Sequence, residues 1–288
     1  MTPAIDRVGV VGCGLMGAGI AEVCAKAGVD VIIREVDEET LERGRGRIEA
    51  SLGRALRREK LAADEADAAL ARLRFTTDIG DMADRHLVVE AVTEAEAVKL
   101  DVFATLDKVV SDEAILASNT SSIPIMKLAM ATNRPDRVLG LHFFSPVPVL
   151  TLVELVVALL TSDATADTVQ HFAEDVLGKR VIRSKDRAGF IVNALLIPYI
   201  ISAIRMFESG FATAEDIDTG MVLGCNHPMG PLALADFIGL DTTMAAAQSL
   251  YDEFREPMYG APPLLARMVE AGLLGRKTGR GFYSYDIP

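Results

Sequence analysis

Residues 8–19 read Val-Gly-Val-Val-Gly-Cys-Gly-Leu-Met-Gly-Ala-Gly. An apolar strand runs into a glycine turn, and the turn runs into a helix. Ile5 to Val11 is a short β-branched run of the kind buried in a parallel sheet. Gly12, Gly14 and Gly17 fit G-x-G-x-x-G. The first glycine allows a tight turn. The second removes the side chain that would hold a pyrophosphate away from the backbone. The third lets the helix pack close to the strand. The helix, Leu15 to Lys26, aims its unpaired N–H groups and positive dipole end at phosphates. Gly12, Cys13, Gly14, Leu15, Met16 and Gly17 are therefore the candidate dinucleotide loop. A second strand, Val29 to Ile33, ends in Arg34-Glu35. Glu35 lies 23 residues after Gly12, close to the spacing of about 20 expected for the acid that binds the adenosine ribose. A carboxylate there accepts from the ribose hydroxyls and repels a 2′-phosphate, which favours NAD. Arg34 beside it keeps NADP open.

Composition narrows the remaining classes. The 288 residues are 50% hydrophobic and 24% charged, an ordinary globular balance with length for two domains. A net charge of −12 argues against a nucleic-acid or anionic-membrane partner. Cys13, Cys24 and Cys225 form an odd set without metal-ligand spacing. No metal site or disulfide framework is expected, and a reducing cytoplasm fits. No apolar run approaches the ~18 residues that span a bilayer. With the first strand starting near Ile5, no signal or transit peptide is expected.

Along the chain, Asp37-Glu38-Glu39 opens a long helix reaching about Lys60. Arg43, Arg45, Arg47, Arg54, Arg57, Arg58 and Lys60 fall between positions 43 and 60, against only Glu49 and Glu59. That excess reads either as a solvated face or as an electropositive patch for a phosphorylated ligand. A helix over Ala62 to Leu73 and a short strand at Phe75-Thr76 follow. Further strands are expected at His86 to Val92, Ala114 to Ala117, Val138 to Phe144, Leu152 to Val157 and Arg180 to Arg183. Helices are expected at Ala97 to Val110 and Ala164 to Leu177. This alternation predicts an α/β, doubly wound sheet through about residue 187. From 188 to 288 helical periodicity dominates: Phe190 to Ser209, Ala214 to Leu223, Leu232 to Ile238, Asp241 to Glu253 and Pro263 to Ala271. Gly210, Gly224 and Gly272 are the expected helix C-caps.

Two features at strand ends carry chemistry. Ser118-Asn119-Thr120-Ser121-Ser122 follows a strand and precedes a helix with Pro124 in its first turn. Five polar residues exceed what one cap requires, and ligands bind at the carboxyl ends of parallel strands. His142 sits late in a strand, with Glu154 twelve residues on, beyond Pro146 and Pro148. If the next strand returns beside the first, the two make a His–Glu pair. Such a pair is a general base, the carboxylate fixing the tautomer and stabilising the imidazolium. Structural or solvated roles are expected for His86, His171 and His227.

These residues together resemble the short-chain L-3-hydroxyacyl-CoA dehydrogenases. The resemblance rests on Gly12–Gly17, Ser118–Ser122, Leu141-His142-Phe143-Phe144-Ser145-Pro146-Val147-Pro148, Val153-Glu154 and Asp186–Asn193. It continues through His227–Pro231, Gly239-Leu240-Asp241 and Lys277–Tyr283, and so covers essentially the whole chain. It implies a Rossmann-type NAD-binding domain, an all-helical domain that forms a homodimer, and a substrate cleft between them. The implied reaction is reversible NAD-dependent oxidation of a short-chain (S)-3-hydroxyacyl-CoA, such as 3-hydroxybutyryl-CoA. His142 matches the family's base and Glu154 its partner, while Ser121 and Asn193 match substrate hydrogen-bonding residues. Glu35, Glu94, Lys99, Ser121 and Lys277 match cofactor contacts. Ser51 and Arg58, with Ser121, match coenzyme A contacts. At Ser145 the family usually has Asn, and a serine there loses the amide's second handle. Two rival readings stand beside this one. A β-hydroxyacid dehydrogenase would need a lysine after a glycine on the first helix of the second domain, and Gly189 to Leu196 contains none. A non-catalytic dinucleotide-binding protein would have no use for Ser121, His142, Glu154 and Asn193 together.

Overall fold

The computed structural model describes residues 5–286, and the chain divides into two compact units, the first ending at Asp186 and the second beginning at Arg187.

The first unit alternates strands and helices. In order these are β1 (Arg7–Val11), α1 (Leu15–Lys26), β2 (Asp30–Arg34), α2 (Glu38–Arg57), α3 (Ala63–Ala71), β3 (Leu73–Thr76) and β4 (Leu87–Glu90). Then come α4 (Glu96–Val109), β5 (Ile115–Ser118), α5 (Ile125–Ala129), β6 (Val138–Phe143), β7 (Leu152–Val157), α6 (Asp163–His171) and β8 (Arg180–Lys185). One sheet holds all eight strands in the order β3-β2-β1-β4-β5-β6-β7-β8. Strands β1 to β6 are mutually parallel. Strand β7 runs antiparallel to β6, and β8 is parallel to β7. The reversal from β1-β2-β3 to β1-β4-β5-β6 makes a switch point beside β1, where strand ends open a crevice. The interiors of β1, β4, β5 and β6 are fully buried. A strand covered on both faces reads as an unbroken apolar run, which is why the sequence locates these so well.

Helix α2 starts on Asp37, whose side chain accepts from Thr40 N at 2.8 Å. It stops at Arg57, three residues short of the expected Lys60, where Glu59 takes a left-handed φ of +54°. The helix expected over Ala164 to Leu177 is α6 followed by a π-helical turn over Phe172–Val176.

The second unit is helical: α7 (Val192–Glu208), α8 (Ala214–Cys225), α9 (Pro231–Ile238), α10 (Leu240–Phe254) and α11 (Pro263–Glu270). Its core gathers Ile200, Ile204, Leu232, Leu240 and Leu265. Helix α7 runs on through Pro198. Gly210 and Gly272 have φ of +71° and +72° at helix ends, as expected. Gly224 does not cap α8. That helix continues to Cys225, and Asn226 adopts the left-handed conformation at φ +56°. Asn tolerates this region better than other side-chain-bearing residues because its short amide bonds locally.

Candidate active site

Five strand ends of the first unit meet at the carboxyl edge of the sheet, beginning with the glycine turn. Gly12 has φ +96°, and a Cβ there would sit 2.7 Å from the Ala91 carbonyl. Gly17 packs on the turn itself, since a Cβ would overlap the Gly12 carbonyl oxygen. Gly14 is the opposite case: a Cβ would meet nothing within 4 Å. Helix α1 begins at Gly14 without a capping side chain, so its first-turn N–H groups remain for an anion. The loop therefore fits a pyrophosphate on all three counts. Cys13 lies buried beneath it. Burial, the Glu35 carboxylate and, in opposition, Arg47 leave its thiol at about 12. It is packing, not a nucleophile. On α2, Gly44 abuts it, and a Cβ at Gly44 would collide with Cys13 Sγ. Sequence reading passed over Gly44 because its partner is thirty-one positions away.

Glu35, just past β2, reaches back to the turn and accepts from Cys13 N at 2.5 Å and Val36 N at 3.1 Å. Arg34 Nε donates to Thr77 O at 3.3 Å.

The ends of β4 and β5 form one polar frame. Glu90 is fully buried and pairs with Lys99 Nζ at 2.6 Å, Ser118 Oγ at 2.6 Å and Val92 N at 2.7 Å. Lys99 is itself only 1% exposed and also pairs with Glu94 at 3.2 Å. What Lys99 presents to the site is thus the Glu94 carboxylate. Glu94 accepts from Thr120 Oγ1, from Ser122 Oγ at 2.8 Å and from Ser121 N at 3.1 Å. Asn119 Oδ1 accepts from Phe143 N at 2.9 Å, tying this loop to the end of β6. Four of the five polar side chains thus build the frame, and Ser121, half-buried, puts none of its side-chain atoms into these bonds. Glu90 and Asn119 were not singled out from sequence. Their only signal was an acid closing the apolar run Leu87–Val89 and an amide inside the polar run.

Partial burial pushes the Glu94 carboxyl up, but the Lys99 ammonium and the bonds from Thr120, Ser122 and Ser121 outweigh it. Glu94 is held below the usual carboxylate range. Folding therefore favours its charged form. That stabilisation is complete above the unfolded pKa of about 4.3 and is lost as pH falls through the lower folded value. Glu94→Gln is expected to lower the urea midpoint at neutral pH and to converge on wild type in acid. A gap of the same size at about pH 7 and about pH 3 would contradict this.

His142 and Glu154 face each other as direct cross-strand partners in the β6–β7 ladder. Nδ1 of His142 lies 2.8 Å from Glu154 Oε2. His142 is 6% exposed and Glu154 0%. Antiparallel return through the Pro146–Pro148 bend is what turns a twelve-residue separation into contact. Next to it, Ser145 is exposed and joined to Pro146 by a cis peptide bond.

A groove of about 530 Å³ runs between α1, α2 and the Ser145–Pro148 turn. Ser51, Arg43, Arg47 and Arg54 line it. Arg58 is exposed at the C-cap of α2 and lies outside that lining. Arg45 is committed elsewhere, stacked 4.2 Å over the Phe75 ring. The basic helix thus puts three guanidinium groups on the groove, with the rest solvated or packed.

In the second unit, Asn193 is the second residue of α7. It follows a turn in which Gly189 and Phe190 have φ of +71° and +48°. Positive φ at Phe190 is a costly conformation for a bulky residue, and such positions gather at functional segments. Lys277 pairs with Asp241 at 2.5 Å. His227 lies 3.2 Å from the Tyr199 hydroxyl. Among the described residues, no helix is long and apolar enough to cross a membrane.

A glycine-rich strand–helix turn, an acid just past β2 and a histidine–carboxylate pair on the same sheet edge are the features of a nicotinamide-dependent dehydrogenase. The first unit matches the 3-hydroxyacyl-CoA dehydrogenase NAD binding domain over residues 7–187, and the second matches the 3-hydroxyacyl-CoA dehydrogenase C-terminal domain over residues 189–285. The chain belongs to the 3-hydroxyacyl-CoA dehydrogenase family, an NAD-dependent oxidoreductase family. It is 60% identical to 3-hydroxybutyryl-CoA dehydrogenase of Mycobacterium tuberculosis, over 99% of this chain and 100% of that one. It is 42% identical to the human mitochondrial hydroxyacyl-coenzyme A dehydrogenase, over 98% of this chain and 91% of that protein. The crystal structure of (S)-3-hydroxybutyryl-CoA dehydrogenase from Ralstonia eutropha is similar with a TM-score of 0.94. That chain is 46% identical, with 99% of this chain and 100% of that one covered.

Proposed function

We propose that this protein catalyses the reversible oxidation of (S)-3-hydroxybutyryl-CoA to acetoacetyl-CoA, with His142 as general base. The observation that carries the proposal is the buried His142–Glu154 pair near the carboxyl end of β6, on the sheet edge that also carries the glycine turn. NAD, when bound, supplies the acceptor for the hydride leaving C3. The chain's own task is the proton. Glu154 engages Nδ1, so Nε2 is the nitrogen that takes the 3-hydroxyl proton. The buried carboxylate then stabilises the imidazolium, and in the reverse direction the imidazolium returns the proton to the forming alkoxide. Ser121 and Asn193, on the family resemblance, hydrogen-bond the substrate near the reacting carbon. Gly12–Gly17 hold the diphosphate, and Glu35 holds the adenosine ribose. Glu94, backed by the buried Lys99, and Ser121, Ser145 and Lys277 complete the cofactor contacts that the resemblance assigns. Ser51 and Arg58 are the coenzyme A contacts that the resemblance assigns.

A homodimer built by the helical unit is part of this proposal. The family resemblance is its ground, and Leu195, Phe211 and Leu223, which are 73%, 79% and 79% exposed, are apolar side chains that a partner could cover. Sedimentation at micromolar concentration reads it directly, and a purely monomeric species removes it. A cytoplasmic location is in keeping with three free cysteines.

The deciding assay is NADH oxidation with acetoacetyl-CoA, run beside free acetoacetate and with NADPH in place of NADH. The expected result is turnover with the thioester and NADH, and little with free acid or NADPH. Preference for the free acid would overturn the assignment in favour of a β-hydroxyacid dehydrogenase.

A further inference from the structure

The groove between α1 and α2 contains a buried carboxyl group that no step above uses. Glu22, in the middle of α1, is 2% exposed and yet forms part of the groove's lining. Its ionic partner Lys26 stands 3.9 Å away, beyond hydrogen-bond reach. Burial pushes its carboxyl above the ordinary range, against the pull of Ser51, Lys26, Arg54 and Lys179. Ser51 on α2 already hydrogen-bonds this carboxyl, and its two oxygens, with about four lone-pair sites, keep room for a further donor. The surrounding wall shows what can reach it. Arg43, Arg47 and Arg54 are exposed and cationic, while Ile48, Val147 and Pro148 are apolar. An acceptor lies among apolar walls, and guanidinium groups crowd the same groove.

Chain order identifies the ligand segment that suits this layout. The wall Ser145–Pro148 begins three residues after His142, while the arginines sit on α2. In a coenzyme A thioester the reacting acyl group and the phosphates are joined by the pantetheine arm, whose amide N–H groups and hydroxyl are hydrogen-bond donors on an otherwise apolar chain. With the thioester at His142 and phosphate at the arginines, the pantetheine arm is the part that crosses the groove.

We propose that Glu22 is a substrate-reading residue, accepting a hydrogen bond from a pantetheine amide or hydroxyl, with Arg43, Arg47 and Arg54 holding phosphate in the same groove. The inference rests on the reading that an acyl-CoA is the substrate. It adds a residue to that reading and moves phosphate recognition from Arg58 toward the groove.

The test is steady-state reduction of three thioesters: acetoacetyl-CoA, S-acetoacetyl-pantetheine, and the ethyl thioester of acetoacetate, which has no amide. Hydrogen bonds to charged groups contribute about 1.5–3 kcal/mol, so Glu22→Leu is expected to raise KM for acetoacetyl-CoA about tenfold or more. KM for NADH and kcat stay close to wild type. The rise persists with the pantetheine thioester and vanishes with the ethyl thioester. Arg47→Ala raises KM for acetoacetyl-CoA alone. The near-isosteric Glu22→Gln, which keeps one acceptor oxygen, gives a smaller rise with the fold intact by circular dichroism. A Glu22→Leu or Glu22→Gln enzyme whose KM is unchanged for all three substrates overturns the proposal, as does an equal rise with the ethyl thioester. The parent reading fails differently: wild type would then reduce all three thioesters with the same KM.

Discussion

His142→Ala is expected to lower kcat for acetoacetyl-CoA reduction about a thousandfold, within the range that positioned acid–base groups contribute. NADH affinity, read by fluorescence titration, stays near wild type, because the glycine turn and Glu35 follow β1 and β2, which β4 and β5 separate from the His142 strand in the sheet. The split between the two readouts is the point of the experiment. Glu154→Gln tests the second half of the pair. It keeps shape and loses charge, so the imidazolium formed during oxidation has no buried counter-ion. Its kcat should fall with the same sparing of NADH binding. A His142→Ala enzyme that retains wild-type turnover ends the base assignment. Loss of NADH affinity in step with kcat would instead mean that the substitution had collapsed the sheet edge.

The second large effect separates two glycines of one motif. Gly17→Ala forces a methyl into the Gly12 carbonyl, in a turn whose Gly12 already lies against the Ala91 backbone. Overpacking of this kind costs about 1–3 kcal/mol or more. In a unit of this size that is a drop in melting temperature of roughly 2–12 °C, with cofactor binding lost as well. Gly14→Ala meets open space and should leave the melting temperature of the cofactor-free protein within about 1–2 °C of wild type. Its methyl instead occupies the approach path of the pyrophosphate. We expect NADH affinity to fall about tenfold or more, since one displaced charged hydrogen bond is worth that much. Calorimetry of the free protein together with NADH titration distinguishes the pair. Equal melting temperatures for the two variants would show that the third glycine is not a packing residue.

Elements written by local pattern were legible from sequence to within a residue or three. Helix α1 was found at Leu15–Lys26 because a glycine turn opens it and one periodic apolar run fills it. Strands β4 and β5 were found because both faces are covered. Errors collected at ends where a neighbour decides, such as Asn226 in place of Gly224. The polar run Ser118–Ser122 was visible, but its division of labour was not. Which side chain meets Glu90, which meets Glu94 and which ties down Phe143 depends on strands far apart in sequence.

By itself, then, the sequence determined the dinucleotide loop, the acidic residue after β2, the order of elements and the family. Each of these is carried by residue types at short, regular spacing, where backbone periodicity and glycine sterics act locally. Tertiary structure alone decided that β7 returns antiparallel with Glu154 opposite His142, that Arg34 bonds the Thr77 carbonyl, and that Ser51 lines the groove while Arg58 does not. It also decided that Glu22, in the middle of a helix whose first turn alone carried a sequence reading, is buried at the groove wall. Strand register and burial arise from contacts between distant segments, and no local spacing encodes which carboxylate ends beside which partner.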